Sequence, residues 1–328
     1  MLTISIAMAT YKGGKHLREQ LDSIADQTTP PDELVVCDDQ SPDNTLEVLN
    51  EFQNSAPFPI KIVSNEKRLG YARNFWKAIG LCSGDLIFPC DQDDVWLDSK
   101  LAKHEAIYRE HDDVGLIVND GRLVDSDLKA MGKTWFQAVG FTSREFKELE
   151  TDRAFAVLMR DSRLCGCMMS FRSRYRDRIP PIPNVIGHDD WLALNLALLS
   201  TLRVIPEPLN DYRQHAHQVT QGPTDAKLPP RPTLPRRAWK LEKRAIDMAH
   251  IFQGLDGFDP PNEVLRYPEF RDYLKGLMGH YVRRSMLSNH LVKRLPLVLI
   301  ELVLGNYARY NDSVKNSLSL DLRPIFFR

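Results

Sequence analysis

Cysteine is scarce in this sequence. The 328 residues include five: Cys37, Cys82, Cys90, Cys165 and Cys167. An odd number in a chain this long is no disulfide framework, and no two are spaced CxxC, so zinc-finger and thioredoxin-like chemistry are poor readings. Cys165 and Cys167 stand two apart and are expected to share one face of a strand as structural residues. Such thiols suit a reducing, cytosolic setting. An excess of one charge is also missing. The chain has 43 basic and 44 acidic residues, a formal charge of -1, which argues against a general polyanion binder and against nucleic acid as a partner. A glycine-rich, basic loop for a triphosphate is absent as well: Gly13, Gly14 and Lys15 after the first apolar run are a poor version of one.

Long apolar runs are absent too. The most apolar late stretch, LPLVLIELVL from Leu295 to Leu304, is ten residues interrupted by Glu301, whereas a spanning helix needs about 20. Arg283, Arg284, Lys293 and Arg294 precede it. The stretch reads either as an interfacial helix at the cytoplasmic face of an anionic inner membrane or as part of a C-terminal bundle. The opening MLTISIAMATYKGG lacks the basic start and the apolar length of a secretory signal, and reads as a first strand. What the chain does have is a core: 43% of its residues are hydrophobic and 27% charged, which excludes a wholly disordered chain.

The first 120 residues or so alternate strand and helix at short spacing. Apolar strands are expected at Thr3 to Ala9, Glu33 to Cys37, Ile60 to Val63, Leu86 to Phe88 and Val114 to Val118. Between them lie helical patterns: Leu17, Leu21 and Ile24; Thr45 to Asn54; Tyr71 to Leu81; and Lys100 to Tyr108. This order predicts an α/β fold with a mainly parallel sheet covered by helices. Later, Leu164 to Phe171 and Leu202 to Ile205 read as strands and Asp189 to Leu199 as a helix. The proline-rich tract from Gly222 to Pro235 reads as a linker. Arg236 to Phe252, Glu269 to Leu287 and Leu291 to Tyr307 are expected to be helical.

Polar residues gather where the predicted strands end, the side on which open α/β sheets bind ligands. DQDD at 91–94 follows an apolar strand. Its carboxylates suit Mg²⁺ or Mn²⁺, and a solvated acidic turn is the plain alternative. Asp38 and Asp39 end another strand and can accept hydrogen bonds from a base or ribose, or cap a turn. Asp189 and Asp190 precede the apolar WLALNLALL; one explains a helix cap, and the other can serve as a general base. In YRQHAHQ, Tyr212 to Gln218, Arg213 can grip a phosphate with two bonds and His215 can ligate a metal.

These blocks, in this order, resemble the family 2 glycosyltransferases and within them a bacterial rhamnosyltransferase-like branch. SIAMATYKGGKHLREQLDSIADQT, ELVVCDDQSPDNT, NEKRLGYARNFWKAI, FPCDQDDVW, GHDDWLALNLA and YRQHAHQVTQG carry the likeness, which covers residues 3 to 222. The resemblance implies a GT-A domain over 1–222, with a nucleotide-sugar half at 1–118 and an acceptor half at 119–222. A linker at 223–235 and a helical region at 236–328 would follow. It implies that Thr10, Tyr11, Asp38, Asp39, Arg68 and Arg73 line the nucleotide pocket, with Asp39 on the base or ribose. It further implies that Asp91 and Asp93 form the metal-associated DxD motif and that Asp189 is the catalytic base. Arg213 and His215 would close over the diphosphate and the metal. His188 stands where many members carry Glu, and Asp190 where close relatives often carry an aromatic residue.

The expected chemistry is metal-dependent inverting transfer from a nucleotide sugar to a hydroxyl of a surface-glycan or lipid-linked acceptor. dTDP-rhamnose is favoured as donor, UDP-glucose, UDP-galactose and UDP-GlcNAc stay open, and the cofactor is Mn²⁺ or Mg²⁺. The competing readings are a sugar-phosphate nucleotidyltransferase and a non-catalytic sugar-binding or scaffold protein on the same fold.

Overall fold

The computed structural model describes residues 2–160, 163–183, 186–215, 218, 249, 269–285 and 291–310. Its sheet begins with β1 (Ile4–Thr10), β2 (Glu33–Asp38), β3 (Ile60–Ser64) and β4 (Leu86–Cys90), separated by helices α1 (Leu17–Ala25), α2 (Thr45–Gln53) and α3 (Tyr71–Leu81). The four strands run parallel in the order β3-β2-β1-β4. β1, β2 and β4 are covered on both faces, so they read as near-continuous apolar runs. Alternate residues of β1 serve opposite layers. Ile4, Ile6 and Met8 pack with Leu17, Leu21, Leu49 and Phe52 of α1 and α2, while Ala7 faces Ala78 and Ile79 of α3. Each fully buried Leu, Ile or Phe of these layers contributes roughly 1.5–3 kcal/mol.

Beyond β4 the sheet becomes mixed and curls. Short β5 (Val95–Trp96) and helix α4 (Lys100–Glu110) lead to β6 (Val114–Val124) and β7 (Ala130–Thr134). Short helices α5 (Trp135–Ala138), α6 (Ser143–Leu149) and α7 (Ala154–Arg160) follow, then β8 (Met169–Arg172), helix α8 (His188–Leu199) and β9 (Thr201–Arg213). β8 runs antiparallel between β4 and β6, β9 lies parallel to β6, and β5 pairs antiparallel with β9. This return of β9 brings Asp211 opposite Val95, and so delivers the end of β9 to the DQDD segment.

Two expectations for this half change. The strand predicted from Leu164 is a 3-10 turn at Gly166–Met168 before β8, so Cys165 and Cys167 do not share a strand face. The strand expected at Leu202 to Ile205 is longer, since β9 runs on to Arg213 through Pro206 and Pro208. The missing proline N–H groups are absorbed by register irregularities opposite Asn119 to Gly121.

The C-terminal helices are α9 (Phe270–Ser285), α10 (Leu291–Val303) and α11 (Asn306–Tyr310). Tyr273, Leu274 and Leu277 of α9 join the same buried cluster as Phe155 and Leu158 of α7. The predicted helix from Leu291 to Tyr307 breaks at Gly305, whose φ of +68° is left-handed and suits glycine. His280 and Arg283 of α9 both bond the buried Glu301 of α10. Among the described residues no helix is long and apolar enough to cross a membrane. The proline-rich linker and nearly all of the predicted helix at 236–252 lie outside the described residues.

Candidate active site

The order β2-β1-β4 sets three strand ends side by side, since Thr10 is in register with Asp38 and Met8 with Cys90. Asp38 is fully buried and accepts from the Thr10 hydroxyl at 2.9 Å and from the Ser41 backbone N–H at 2.9 Å. It therefore ties the ends of β1 and β2 together. Asp39 is 2% exposed, and its carboxylate accepts from the backbone N–H groups of Leu69 (2.6 Å) and Gly70 (2.9 Å) and from Asn65 Nδ2 (3.0 Å). Three of the roughly four acceptor positions of the Asp39 carboxylate thus organise the 65–70 loop. Gly70, at φ +81°, lets that loop turn into α3.

The open surface here belongs to Tyr11 and Arg68. The exposed Arg68 guanidinium lies 3.8 Å from the Tyr11 ring centroid. Sequence reasoning missed Gln92, which clamps the Tyr11 backbone by donating to its carbonyl at 3.0 Å and accepting from its N–H at 2.9 Å. It missed Asn74 as well, a buried amide bonded to the Cys37 carbonyl and to Asn65. Arg73 is exposed on the first turn of α3.

The DQDD carboxylates diverge. Asp93 Oδ2 meets His215 Nε2 at 2.8 Å, joining residues 122 apart in sequence. Asp91 turns toward Cys167 and Asp189; burial and then the charges of Asp93, Asp94 and Asp189 push its carboxyl well above the ordinary range. Asp94 is fully buried, and burial with the Asp93 charge pushes it to about 7. Its Oδ1 accepts from the Arg213 N–H at 3.1 Å.

Arg213 differs from expectation. It is 1% exposed, and its guanidinium donates to the Asp93 carbonyl (2.7 Å), the Ser126 carbonyl (2.7 Å) and Glu19. A buried guanidinium with each of its three nitrogens on a protein acceptor has the partners of a scaffold. Sequence alone could not show this, because its acceptors come from α1 and from the segment after β6.

Asp189 lies in the first turn of α8, whose N-cap is Gly187, so neither Asp189 nor Asp190 is the cap. Its Oδ1 accepts the Asp190 N–H at 2.9 Å. His188 is buried and stacks on Phe75, ring centroids 3.9 Å apart. Gly166 fits tightly against this turn: a Cβ there would sit 2.6 Å from His188 Nε2 and 3.5 Å from Asp189 Cβ. Gly166→Ala therefore has to shift the His188 ring off Phe75 and is expected to cost about 1–3 kcal/mol, the range for overpacking. Melting curves check it, and an unchanged melting temperature would show that the ring yields freely. Asp93 and His215 meet beyond the carboxyl edge of the sheet, and the Asp189 charge is near enough to raise the Asp91 carboxyl.

The curled, mixed sheet defines a GT-A-type fold, as in the solved glycosyltransferases. Staphylococcus aureus TarS 1–349 in complex with UDP superposes with a TM-score of 0.54 at 17% identity, over 98% of this chain and 90% of that one. The Pyrobaculum calidifontis mannosyltransferase PcManGT in complex with GDP-Man and Mn²⁺ superposes with a TM-score of 0.53 at 16% identity, over 98% of this chain and 84% of that one. Residues 5–176 match Glycosyl transferase family 2, and the chain belongs to that family. Among relatives, an uncharacterized Mycobacterium tuberculosis protein is 26% identical over 221 residues, which is 66% of this chain and 60% of that protein. The Shigella flexneri dTDP-rhamnosyl transferase RfbG is 40% identical over 98 residues, covering 29% of this chain and 34% of that enzyme.

Proposed function

We propose that the protein transfers a sugar, with inversion, from a nucleotide sugar to an acceptor hydroxyl of a bacterial surface glycan, with dTDP-rhamnose as the preferred donor. The observation that carries this reading is the Asp93–His215 contact beside Asp91, whose carboxyl feels the charge of Asp189. The base of the nucleotide stacks at the Tyr11–Arg68 rim, with Thr10 behind it. Asp38 and Asp39 shape this pocket through the loops they hold. Asp189 accepts the proton of the acceptor hydroxyl as its oxygen attacks the anomeric carbon from the side opposite the leaving diphosphate. The likeness to RfbG supports the rhamnosyl donor, and the UDP held by TarS favours a UDP-sugar as the second reading.

The donor set fits a divalent cation. Asp91 and Asp93 supply hard oxygens, His215 an imidazole nitrogen, and Asp94 Oδ2 is buried with no hydrogen-bond partner among the described residues. Asp91, Asp93 and His215 would hold Mn²⁺ or Mg²⁺, which when bound supplies positive charge against the diphosphate. The carboxyls pushed up by burial must ionise to take it. In the metal-free fold the protonated form of Asp94 is favoured, so its contribution to stability is full at low pH and is lost as pH rises toward about 7. A cation reverses that loss. Thermal shift with a panel of nucleotide sugars and Mn²⁺ should therefore be larger at pH 8 than at pH 6. The deoxy-sugar donor should stand clear of the UDP-hexoses. A shift independent of both metal and sugar identity would overturn this assignment.

The exposed apolar side chains Leu299, Ile300, Leu302, Val303 and Leu304 support contact of α10 with the cytoplasmic face of a membrane that bears a lipid-linked acceptor. Flotation with anionic liposomes should recover the protein, and Leu299→Ser with Val303→Ser should abolish recovery. Equal recovery of the variant would assign this face to packing.

A further inference from the structure

We infer that the floor of the cleft carries a second cation site, built on sulfur, for a thiophilic divalent ion of the Zn²⁺ class. The 3-10 turn at Gly166–Met168 folds Cys165 and Cys167 to one side, with their sulfurs 3.4 Å apart. The ligand atoms of Asp91, Cys165 and Cys167 all lie within 4.8 Å of one another. With Zn–S bonds of about 2.3 Å and Zn–O bonds of about 2.0 Å, tetrahedral ligands stand roughly 3.5–3.8 Å apart, so modest side-chain motion closes the set.

The Cys167 thiol also bonds the Asp91 carboxyl, so sulfur and oxygen already meet at this point of the floor, and a water would complete four ligands. Lys100, whose Nζ donates to the Cys167 carbonyl, stabilises the thiolate that such an ion requires. Cys165 is half-buried and gives the ion a way in. On binding, each thiol releases its proton to solvent, as does the Asp91 carboxyl where it is protonated in the metal-free fold, and the two sulfurs and the carboxylate donate to the metal.

This locus differs from the oxygen-rich one. Asp93 and His215 take no part in it, and Asp91 is the shared residue. A Zn²⁺ ion that draws Asp91 down onto the sulfurs removes it from the diphosphate side of the cleft, so the site is inhibitory and reversed by chelators.

The test uses the metal alone on the reduced, chelator-stripped full chain, so it does not depend on any transfer reaction. Competition with a chromogenic chelator should show one Zn²⁺ per chain in the presence of saturating Mg²⁺. Co²⁺ in its place should give thiolate charge-transfer bands. Cys165→Ser combined with Cys167→Ser should lose those bands and at least about 100-fold in Zn²⁺ affinity. Mn²⁺-dependent binding of a nucleotide sugar should be retained within about tenfold, a residual effect expected because Cys167 touches Asp91 and contacting residues couple. If the double variant does not fold, Cys165→Ser alone carries the same comparison. Zn²⁺ bound as tightly by the serine variant, or no Zn²⁺ bound by the parent chain, overturns the site. A failed donor-binding assay with intact Zn²⁺ binding instead overturns only the transferase reading.

Discussion

Asp189→Asn is expected to lower kcat by about 1,000-fold, within the range of a positioned general base. Donor affinity should move by less than about threefold, because the base meets the acceptor and not the nucleotide. Asparagine keeps the shape of the side chain and can still accept the Asp190 N–H that bonds Asp189 Oδ1 at 2.9 Å. What it removes is the negative charge, which the first turn of α8 favours through the helix dipole. Asp190→Asn is the control. It shares that turn, so a purely electrostatic or folding effect of the first turn should appear in both variants, whereas loss of the base appears in one. Single-turnover rates and calorimetric donor titrations separate the outcomes. Loss of donor binding in step with the rate would make Asp189 structural.

Much of this site was legible because it sits at strand ends. A parallel strand covered on both faces is written as a plain apolar run, so polar residues directly after it stand out. Thr10, Asp38 and Asp91 are found that way, and their adjacency follows once β1 lies between β2 and β4. What the sequence hid are the partners that only the fold supplies. Gln92 sits inside the acidic motif yet bonds Tyr11, 81 residues away, and Lys100 Nζ reaches Asn210 Oδ1 over 110 residues at 2.9 Å. Nothing local marks either residue, since glutamine and lysine are ordinary surface types.

The cysteines teach the same lesson. A CxC spacing carries no metal signature by itself, and its carboxylate companion Asp91 follows β4, more than 70 residues earlier. The strand expected at Leu202 to Ile205 fell short for the opposite reason. Pro206 and Pro208 argue against a strand locally, and the long pairing with β6 overrides them by tolerating register shifts.

Arg213 gives the second large effect, and it separates two roles that the sequence could not. A phosphate clamp predicts that Arg213→Met leaves the free protein intact and weakens the nucleotide. The structure predicts the reverse order. The side chain is buried, and methionine would strip three donated hydrogen bonds, to the Asp93 and Ser126 carbonyls and to Glu19. At about 1 kcal/mol each, the loss is roughly 3 kcal/mol. Glu19 is half exposed and regains water, whereas the carbonyls are held at the closing point of β9 against the acidic segment. The melting temperature without ligand should therefore fall by several degrees. Any loss of donor affinity should follow from a displaced Asp93 and His215 rather than from a missing cation. Arg213→Lys sharpens the comparison, because it keeps the charge but reaches only one of those acceptors. A lysine variant that binds donor normally but melts early fits the scaffold. One that melts normally but binds donor poorly would return Arg213 to the diphosphate.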